Sequence, residues 1–410
     1  MDFRNKKIMI LGYGREGKDT FLFLKKHFPK SELAVADANP DLRTKEKAKF
    51  FLGKDYLSHL KDYDVIIKSP GIPFKSLPEH ILPRITTQTE LFFDNCPGVI
   101  VGITGTKGKS TTSSLIYEIL KAGGKKVHLL GNIGTPVLSF LDKAAKKDIF
   151  VHELSSHQLY GLRKSPHVSV FLNIFPEHLD YYRSFKEYAR AKANITLHQK
   201  RGDYLIYNSK DKLVSSFCKK SKARKIPILG EYYELDRNAA REAAKIFKIP
   251  SAVAERAIKR FKGLENRLEL VGTFKGITFY NDSLATIPEA ALLAIDSLGN
   301  NVETVILGGF DRGLDFKKLA KGIIKSRIKT LVLFLPTGRR IWKEVSGLDK
   351  NKKIRHFFAK NMEEAVKLCF EKTGKGKICL MSPASPSFGM FRDYKERGDM
   401  FKKYVKRLAG

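Results

Sequence analysis

Short apolar runs alternate along the chain with longer stretches whose apolar residues lie three and four positions apart. Runs such as residues 7–11 and 99–104 are brief and contain β-branched side chains, which favours strands. Segments such as 185–198 carry the helical spacing. Strands that alternate with helices at this interval predict an α/β fold with mostly parallel sheets. One antiparallel hairpin is predicted, from 268–274 to 277–280.

The first glycine-rich turn follows the first predicted strand. Gly12-Tyr13-Gly14-Arg15-Glu16-Gly17 opens a predicted helix, and the next predicted strand ends in Asp37, 20 residues after Gly17. This spacing matches the dinucleotide-binding fingerprint, which taken alone favours NAD or FAD. Because a second phosphate loop follows near residue 102, a simple dehydrogenase is disfavoured. The motif then predicts a helix N-terminus that can hold a diphosphate.

The second glycine-rich turn is the motif around which the chain is organised. Gly102, Gly105 and Gly108 lie between an apolar strand and a predicted helix, and Lys109 and Ser110 follow. Glycines at such a bend let backbone N–H groups close on phosphate oxygens, the lysine supplies a positive charge, and the serine hydroxyl can bind Mg²⁺. Five residues separate Gly102 from Gly108, one more than in the common phosphate loop. The turn predicts a nucleoside triphosphate site.

Polar residues also follow the neighbouring predicted strands. Glu153 and His178 each come soon after an apolar run. Because the carboxyl ends of parallel strands lie side by side, we expect both residues to converge on Lys109 and Ser110. A carboxylate oxygen at this edge is a hard ligand suited to Mg²⁺. The turn Ser69-Pro70-Gly71-Ile72-Pro73 ends another predicted strand, also at the edge where such sheets bind ligands.

Turns rich in proline, glycine and polar residues predict where domains divide. One such turn lies at 94–98, before the strand of the phosphate loop, and another at 263–265, after two predicted helices. At 410 residues the chain is long enough for two or three domains. We predict a Rossmann-like N-terminal domain, a central P-loop ATPase-type domain with a parallel sheet, and a C-terminal Rossmann-like α/β domain, over residues 1–94, 95–265 and 266–410.

Composition narrows the classes of function. The formal net charge is +33, yet the lysines are dispersed and no stretch interleaves aromatic with basic residues, so no nucleic-acid partner is expected. The four cysteines form no Cys-x-x-Cys pair, which argues against zinc or a disulfide framework and favours a reducing cytoplasm. No apolar run approaches the roughly 20 residues that span a bilayer, and no signal peptide is apparent.

Taken together, these motifs give the chain a nearly end-to-end resemblance to the Mur ligases of peptidoglycan synthesis, and within them to the branch that adds D-glutamate. Folylpolyglutamate synthetases resemble it in the phosphate loop but lack the N-terminal UDP-binding domain. The resemblance rests on Ser69-Pro70-Gly71-Ile72-Pro73, the phosphate loop, Gly131-Asn132-Ile133-Gly134, Glu153-Leu154-Ser155-Ser156, Glu177-His178-Leu179-Asp180, Asn281-Asp282-Ser283, Gly308-Gly309, Asp311-Arg312-Gly313, Ser382-Pro383-Ala384 and Arg397-Gly398-Asp399.

The resemblance implies a reaction and its cofactors. ATP phosphorylates the carboxylate of UDP-N-acetylmuramoyl-L-alanine, the amine of D-glutamate attacks the acyl phosphate, and the products are an amide, ADP and phosphate. Since a carboxylate must approach a γ-phosphate, cations must surround the two anions, and Mg²⁺ is the implied metal. The resemblance also implies a monomer that acts in the cytoplasm without a membrane partner.

Individual residues take roles from the same resemblance. The implied catalytic residues are Lys109, Glu153, His178, Lys192 and Arg267. The implied metal ligands are Ser110, Glu153, His178 and Lys192, the last as a carbamate favoured by a lowered lysine pKa, to which Arg190 is expected to contribute. The implied ATP-binding residues are Gly105, Thr106, Lys107, Gly108, Lys109, Ser110, Thr111, Asn238, Arg267 and Asp282. The UDP substrate is assigned to Gly14, Arg15, Asp37, Ser69, Gly71, Asn132, Ser155 and His178, and the amino acid to Thr286, Arg312, Ser387, Phe388 and Tyr394.

Three departures from the family pattern leave alternatives open. Leu284 stands where the family has lysine, Glu234-Leu235 replaces His-Asn ahead of Asn238, and Ser385-Pro386 replaces Cys-Ala. A Mur-type ligase for another amino acid or acceptor is therefore the first alternative. A basic P-loop ATPase stimulated by nucleic acid, and an oxidoreductase that uses residues 12–17, are alternatives from other classes.

Overall fold

A computed structural model describes residues 3–131, 137–177, 181–230, 232–261 and 263–410, without the side chain of Tyr232. The chain divides into two compact units, Met1–Phe261 and Lys262–Gly410. Over the described ranges, the first unit contains two sheets and the second contains one. Among the described residues, no helix combines the length and the apolar character needed to cross a bilayer.

The first sheet of the N-terminal unit has five strands, all parallel, in the order β3-β2-β1-β4-β5. The strands are β1 (Lys7–Leu11), β2 (Glu32–Asp37), β3 (Lys49–Leu52), β4 (Val65–Lys68) and β5 (Ile85–Thr87), and the helices are α1 (Arg15–His27) and α2 (Gln88–Asn95). The order reverses between β1 and β4, so the two glycine and proline turns that follow these strands meet at the switch point of the sheet.

The second sheet of this unit has six parallel strands in the order β11-β10-β9-β6-β8-β7. They are β6 (Val99–Thr104), β7 (Val127–Gly131), β8 (Ile149–Glu153), β9 (Val168–Phe171), β10 (Tyr204–Asn208) and β11 (Arg224–Ile228). The helices are α3 (Lys109–Ala122), α4 (Ser156–Leu159), α5 (Phe185–Leu197), α6 (Lys212–Cys218), α7 (Tyr232–Ile246) and α8 (Ser251–Arg260). The central strand β6 lies between β8 and β9, so the phosphate loop emerges beside the ends of both.

The C-terminal unit carries a six-stranded sheet in the order β12-β13-β17-β14-β15-β16, antiparallel between β12 and β13 and parallel elsewhere. Its strands are β12 (Glu269–Phe274), β13 (Ile277–Asn281), β14 (Val302–Gly308), β15 (Thr330–Phe334), β16 (Arg355–Phe358) and β17 (Ile378–Met381). Its helices are α9 (Pro288–Leu298), α10 (Lys317–Lys325), α11 (Thr337–Leu348), α12 (Met362–Lys372) and α13 (Tyr394–Ala409).

The predicted α/β class and the hairpin are confirmed. The predicted boundary after residue 94 falls at the end of α2, between the two sheets of one unit. These sheets share a hydrophobic cluster in which Phe92 of α2 packs edge-on against Phe150 of β8, with ring centroids 5.6 Å apart. The second predicted boundary, after residue 265, lies just past the division at Phe261.

Candidate functional site

The phosphate loop joins β6 to α3 through a left-handed bend at Gly108. Its φ is +85°, a conformation that side chains with a Cβ rarely adopt. A Cβ at this position would also overlap the carboxylate of Asp236, which is buried and accepts a hydrogen bond from the Thr112 hydroxyl at 2.8 Å. Glycine therefore lets α3 begin at Lys109 with its first N–H groups open toward a ligand.

Asn173, on the segment that follows β9, fixes the loop from the other side. Its side-chain oxygen accepts from the Lys107 N–H at 2.8 Å, and its amide nitrogen donates to the Lys107 carbonyl at 3.1 Å. The Thr106 N–H donates to the Asn173 carbonyl at 2.9 Å. Asn173 and Asp236 are structural supports that sequence reasoning missed, because their role depends on contacts between distant segments.

Lys192 lies directly beneath the loop. Its side chain is 1% exposed, and its amine donates to the Gly105 carbonyl at 2.7 Å, while the amine of Lys109 donates to the same carbonyl at 3.0 Å. Burial holds the pKa of Lys192 well below the usual lysine value, and the positive charge of Lys109 lowers it further. The expected help from Arg190 is wrong, because Arg190 is exposed on α5 and is not among the groups that shift this pKa.

Ser110 and Glu153 present the oxygens that a cation needs. The Ser110 hydroxyl and the Glu153 Oε2 atom are both buried, and neither has a hydrogen-bond partner among the described residues. Glu153 pairs with Ile103 across β8 and β6, which places it at the strand end beside the loop. Unpaired buried oxygens cost free energy unless a ligand satisfies them, so these two fit a hard cation such as Mg²⁺.

The remaining predicted metal ligands and substrate residues near the phosphate loop are only partly described. His178 and Asn132 lie outside the described residues. Within the described ranges, no group of three or more His, Cys, Asp or Glu side chains is placed to hold a metal. Lys107 forms an ion pair with Glu177 at 3.0 Å, so the glutamate that precedes His178 contacts the phosphate loop.

A cavity of about 370 Å³ lies at the switch point of the first sheet. It collects every predicted UDP residue of this sheet: its lining is Gly12, Gly14, Arg15, Glu16, Asp37, Ala38, Tyr56, Ser69, Pro70, Gly71 and Ile72. Gly12 has φ +89°, and a Cβ there would lie 2.9 Å from the Ser69 Cβ. The Ser69 hydroxyl donates to the Gly12 carbonyl at 2.8 Å. Glycine at 12 is required for this close approach of the two turns.

Asp37 and Ser155 are both engaged in local hydrogen bonds. Asp37 accepts from the Tyr13 N–H at 2.7 Å and thereby orders the glycine-rich turn. Ser155 caps α4 and does not line the cavity. Its partner in the cap, Gln158, donates to the Glu16 carboxylate at 2.9 Å, and burial raises the pKa of Glu16. Hydrogen bonds of Ser155 and Gln158 thus connect the segment after Glu153 to Glu16 at the cavity, within one unit.

Both polar atoms of the side-chain amide of Asn238, the predicted adenine-side residue, form hydrogen bonds within the protein. It donates to the Leu229 carbonyl at 2.8 Å and accepts from Arg241 at 2.8 Å. Thr111, another predicted ATP residue, is half-buried in the first turn of α3. Arg241 also pairs with Glu234, one of the residues that departs from the family pattern, at 2.7 Å.

The remaining predicted residues lie in the C-terminal unit. Asp282 accepts from the Ser382 hydroxyl at 2.7 Å and from the Leu268 N–H at 3.2 Å, which fixes the residue after Arg267. The Arg312 guanidinium lies over the exposed Phe388 ring, 5.4 Å from its centroid. Ser387 is buried, Thr286 is half-buried, and the Tyr394 carbonyl accepts from the Ser283 hydroxyl at 2.7 Å.

Arg397 organises these turns, a role that sequence reasoning did not assign although the residue belongs to one of the quoted motifs. Its side chain is fully buried and donates to the Ser283 hydroxyl at 3.0 Å, the Ser283 carbonyl at 2.8 Å and the Ser385 carbonyl at 3.0 Å. Burial lowers its pKa to about 9. One guanidinium thus fixes the turn after β13 to the turn after β17.

Two family models match the chain, the Mur ligase middle domain over residues 103–277 and the Mur ligase, glutamate ligase domain over residues 266–385. The UDP-N-acetylmuramoylalanine–D-glutamate ligase of Acetivibrio thermocellus is 31% identical over 99% of this chain and 97% of its own length. The enzyme of the same name from Clostridium acetobutylicum is 33% identical over 99% of this chain and 97% of its own length.

Solved structures show the same fold. The MurF ligase from Thermotoga maritima in complex with ADP matches with a TM-score of 0.61 and 17% identity, covering 100% of this chain and 97% of that one. A pseudomurein peptide ligase type C from Methanothermus fervidus matches with a TM-score of 0.58 and 18% identity, covering 98% of this chain and 100% of that one.

Proposed function

The chain belongs to the Mur ligase family and is an ATP-dependent ligase of peptidoglycan precursor synthesis, and from that premise we propose that it joins D-glutamate to UDP-N-acetylmuramoyl-L-alanine. One observation carries the proposal. A single compact unit contains both the phosphate loop, with its unpartnered Ser110 and Glu153 oxygens, and the cavity between Gly12 and Ser69. This arrangement supports one site for ATP and one for a nucleotide-linked acceptor within that unit.

The UDP group is proposed to occupy the cavity of the first sheet. The N-terminus of α1 opens at Arg15, so its backbone N–H groups and the Arg15 charge suit a diphosphate. Ser69 and Gly71 form the opposite wall. Asp37 lies at the end of β2, where an acidic residue can accept from ribose hydroxyls. Asn132, Ser155 and His178 are proposed to serve the muramoyl end.

ATP is proposed to bind across residues 105–111, with Lys109 neutralising phosphate charge. Ser110 and Glu153 are the residues that would hold Mg²⁺, and His178 is proposed for a second ion. The metal supplies charge neutralisation on the phosphate oxygens. Asn238, Arg267 and Asp282 complete the proposed ATP set by resemblance.

Lys192 is proposed to act as a carbamate. Burial lowers the pKa of its amine and so favours the neutral form, which is the form that reacts with CO₂. The nitrogen lone pair adds to the carbon of CO₂, the nitrogen releases one proton to solvent, and the neutral amine becomes an anionic carbamate. The Lys192 amine lies 2.7 Å from the Gly105 carbonyl, so a carbamate formed on it would bring anionic oxygens close to the phosphate loop.

The proposed reaction proceeds in two steps. A carboxylate oxygen of the alanine attacks the γ-phosphorus, and ADP leaves from the opposite side. The amine of D-glutamate then attacks the acyl carbon, phosphate leaves, and the amine loses a proton as the amide forms. Lys109 offsets the negative charge of the first step. Arg312 is proposed to bind a carboxylate of D-glutamate, with Thr286, Ser387, Phe388 and Tyr394 around it.

The departures at Leu284 and Pro386 favour a second candidate, the same chemistry with another amino acid. Leu284 removes a cation that relatives of this kind carry, and Pro386 lies beside the proposed amino-acid residue Ser387. Both candidate functions use the same proposed ATP-binding and UDP-binding residues, so they differ only in the amino acid that is joined. Cytoplasmic location and a monomeric state complete the proposal.

Phosphate release tests the proposal. Purified protein with Mg²⁺-ATP and UDP-N-acetylmuramoyl-L-alanine is expected to release phosphate on addition of D-glutamate and not of L-glutamate. Release with a different amino acid would support the second candidate, and release with nucleic acid alone would contradict both. Glu153→Gln is expected to abolish release, whereas Glu118→Gln, on the exposed face of α3, is expected to leave it unchanged.

A further inference from the structure

Lys68, the last residue of β4, is a buried basic residue that the proposed chemistry does not use. Its side chain is 1% exposed. Its amine donates to the Ser69 carbonyl at 2.9 Å and to the Ile72 carbonyl at 2.8 Å, and it lies 4.7 Å from the centroid of the Phe74 ring. A buried lysine costs free energy unless its donors are satisfied, and these acceptors belong to one turn.

Tyr181, in the segment between β9 and α5, contacts the same turn. Its hydroxyl oxygen lies 2.8 Å from the carbonyl oxygens of both Pro70 and Ile72, and its one hydrogen can be donated to either of them. The Lys68 amine in turn donates to the Tyr181 oxygen at 3.4 Å. Three carbonyl acceptors of the turn are therefore held by two side chains that also contact each other.

The opposite side of this turn forms a wall of the nucleotide cavity. Ser69, Gly71 and Ile72 line the cavity, and Ser69 also binds the carbonyl of Gly12 on the facing turn. The turn itself contains one internal backbone hydrogen bond, from the Ile72 N–H to the Ser69 carbonyl at 3.2 Å. The conformation of the turn therefore depends largely on the side chains that donate hydrogen bonds to its carbonyls.

We propose that Lys68 and Tyr181 are positioning residues for the UDP site: together they hold the Ser69–Ile72 turn in the conformation that receives the nucleotide. This inference rests on the proposed function, because it assigns the nucleotide to that cavity. Neither side chain lines the cavity, so both act through the turn. Without the Tyr181 hydroxyl, the Pro70 carbonyl loses its donor; without the Lys68 amine, the single Tyr181 hydrogen cannot serve both the Pro70 and the Ile72 carbonyl. In either case the turn relaxes away from the shape that a rigid ligand requires.

The kinetic test compares Lys68→Met and Tyr181→Phe with wild type. Lys68→Met is expected to raise the KM for UDP-N-acetylmuramoyl-L-alanine about tenfold and Tyr181→Phe about threefold, with kcat and the KM for D-glutamate within about twofold of wild type. The double variant is expected to resemble Lys68→Met, because both side chains support one turn. Lys61→Met removes an exposed lysine just before β4 and is the matched control, with all constants unchanged.

A purely structural role would give a different pattern. If the KM values for all three substrates rise together, or kcat falls while the KM for the UDP substrate stays constant, the proposal is overturned. Tyr181→Phe deletes one oxygen atom, so it provides the test even if Lys68→Met fails to fold. Thermal unfolding of each variant identifies that case.

UDP alone separates this inference from the proposed function. Calorimetric titration with UDP is expected to show binding to wild type and to Lys61→Met, and weaker binding to Lys68→Met and Tyr181→Phe. If wild type binds UDP but lacks ligase activity, the proposed function fails and the UDP affinities still decide this inference. Equal UDP affinity in all four proteins overturns the positioning role alone. Absence of UDP binding to wild type overturns this inference, whereas ligase activity alone decides the proposed function.

Discussion

Replacing Gly108 by alanine tests why the phosphate loop needs glycine at its last bend. The φ of +85° costs a residue with a Cβ about 1–2 kcal/mol. The new methyl group would also displace the Asp236 carboxylate, which is buried and bonded to Thr112. Loss of that charge-assisted hydrogen bond adds about 1.5–3 kcal/mol, so Gly108→Ala is expected to cost about 2.5–5 kcal/mol in total.

Gly124→Ala is the matched control for backbone strain. Gly124 also has a positive φ, +73°, but a Cβ there would meet no atom within 4 Å. This variant is expected to lose only the strain term, about 1–2 kcal/mol. The difference between the two alanine variants therefore measures the overlap with Asp236 and not the cost of the left-handed backbone.

Thermal unfolding and ATP kinetics provide the readout. Gly108→Ala is expected to have a lower Tm than Gly124→Ala. Its KM for ATP is expected to rise about tenfold or more, because weakening one hydrogen bond to phosphate by about 1.4 kcal/mol lowers the affinity by a factor of ten. The KM for ATP of Gly124→Ala is expected to equal that of wild type. If the two variants share one Tm and one KM, the overlap with Asp236 does not determine the loop.

Three further results are expected. Arg397→Met leaves three buried acceptors without their donor and is expected to destabilise the C-terminal unit by about 3–5 kcal/mol. The control Arg407→Ala, which removes a half-exposed ion pair, is expected to cost less than about 1 kcal/mol. Equal Tm values for the two variants would contradict the role of Arg397. Burial lowers the pKa of Lys68 from 10.5 to about 7, so the unfolded chain binds more protons than the folded chain between these pH values. The stability of wild type relative to Lys68→Met, measured by urea unfolding, is therefore expected to fall by up to about 2.7 kcal/mol from pH 9 to pH 7. Parallel pH curves for the two proteins would show that Lys68 titrates normally. Lys192→Ala is expected to lose activity and to regain part of it with bicarbonate or a short carboxylate, whereas the exposed Lys186→Ala is expected to stay active; no rescue at all counts against the carbamate.

The fold class and the core of the site could be predicted because their signals are local. A β-branched run followed by Gly105, Gly108 and Lys109 specifies strand, turn and helix within about 15 residues. Glu153 could be placed beside this turn because strand ends share one edge of a parallel sheet. These inferences need only the spacing of residues and the direction of the strands.

The supports of the site could not be predicted because they depend on contacts between distant segments. Asp236 contacts Gly108 from α7, 128 positions later in the sequence. Lys68 is a charged residue at the end of an apolar run, where an exposed side chain is expected. It is buried because the Ser69–Ile72 turn and Tyr181 cover it. Arg397 sits in a helix rich in charged residues, and only the fold shows that it is the buried one among them and binds Ser283 and Ser385.

Short elements were missed for a simpler reason. The strand β3 has four residues and β5 has three, which is too few for a period-two pattern to stand out. The predicted division near residue 94 rests on local turn composition, and it falls between two sheets that share the hydrophobic cluster containing Phe92 and Phe150.

The central claim is that the alanine carboxylate attacks ATP to form an acyl phosphate. Its most direct test uses UDP-N-acetylmuramoyl-L-alanine labelled with ¹⁸O in the carboxylate, together with Mg²⁺-ATP and D-glutamate, and analyses the released phosphate by mass spectrometry. We predict one ¹⁸O atom in each phosphate released and an amide product of the two substrates. Unlabelled phosphate would contradict the account, because ATP would then have been hydrolysed by water and not by the substrate carboxylate.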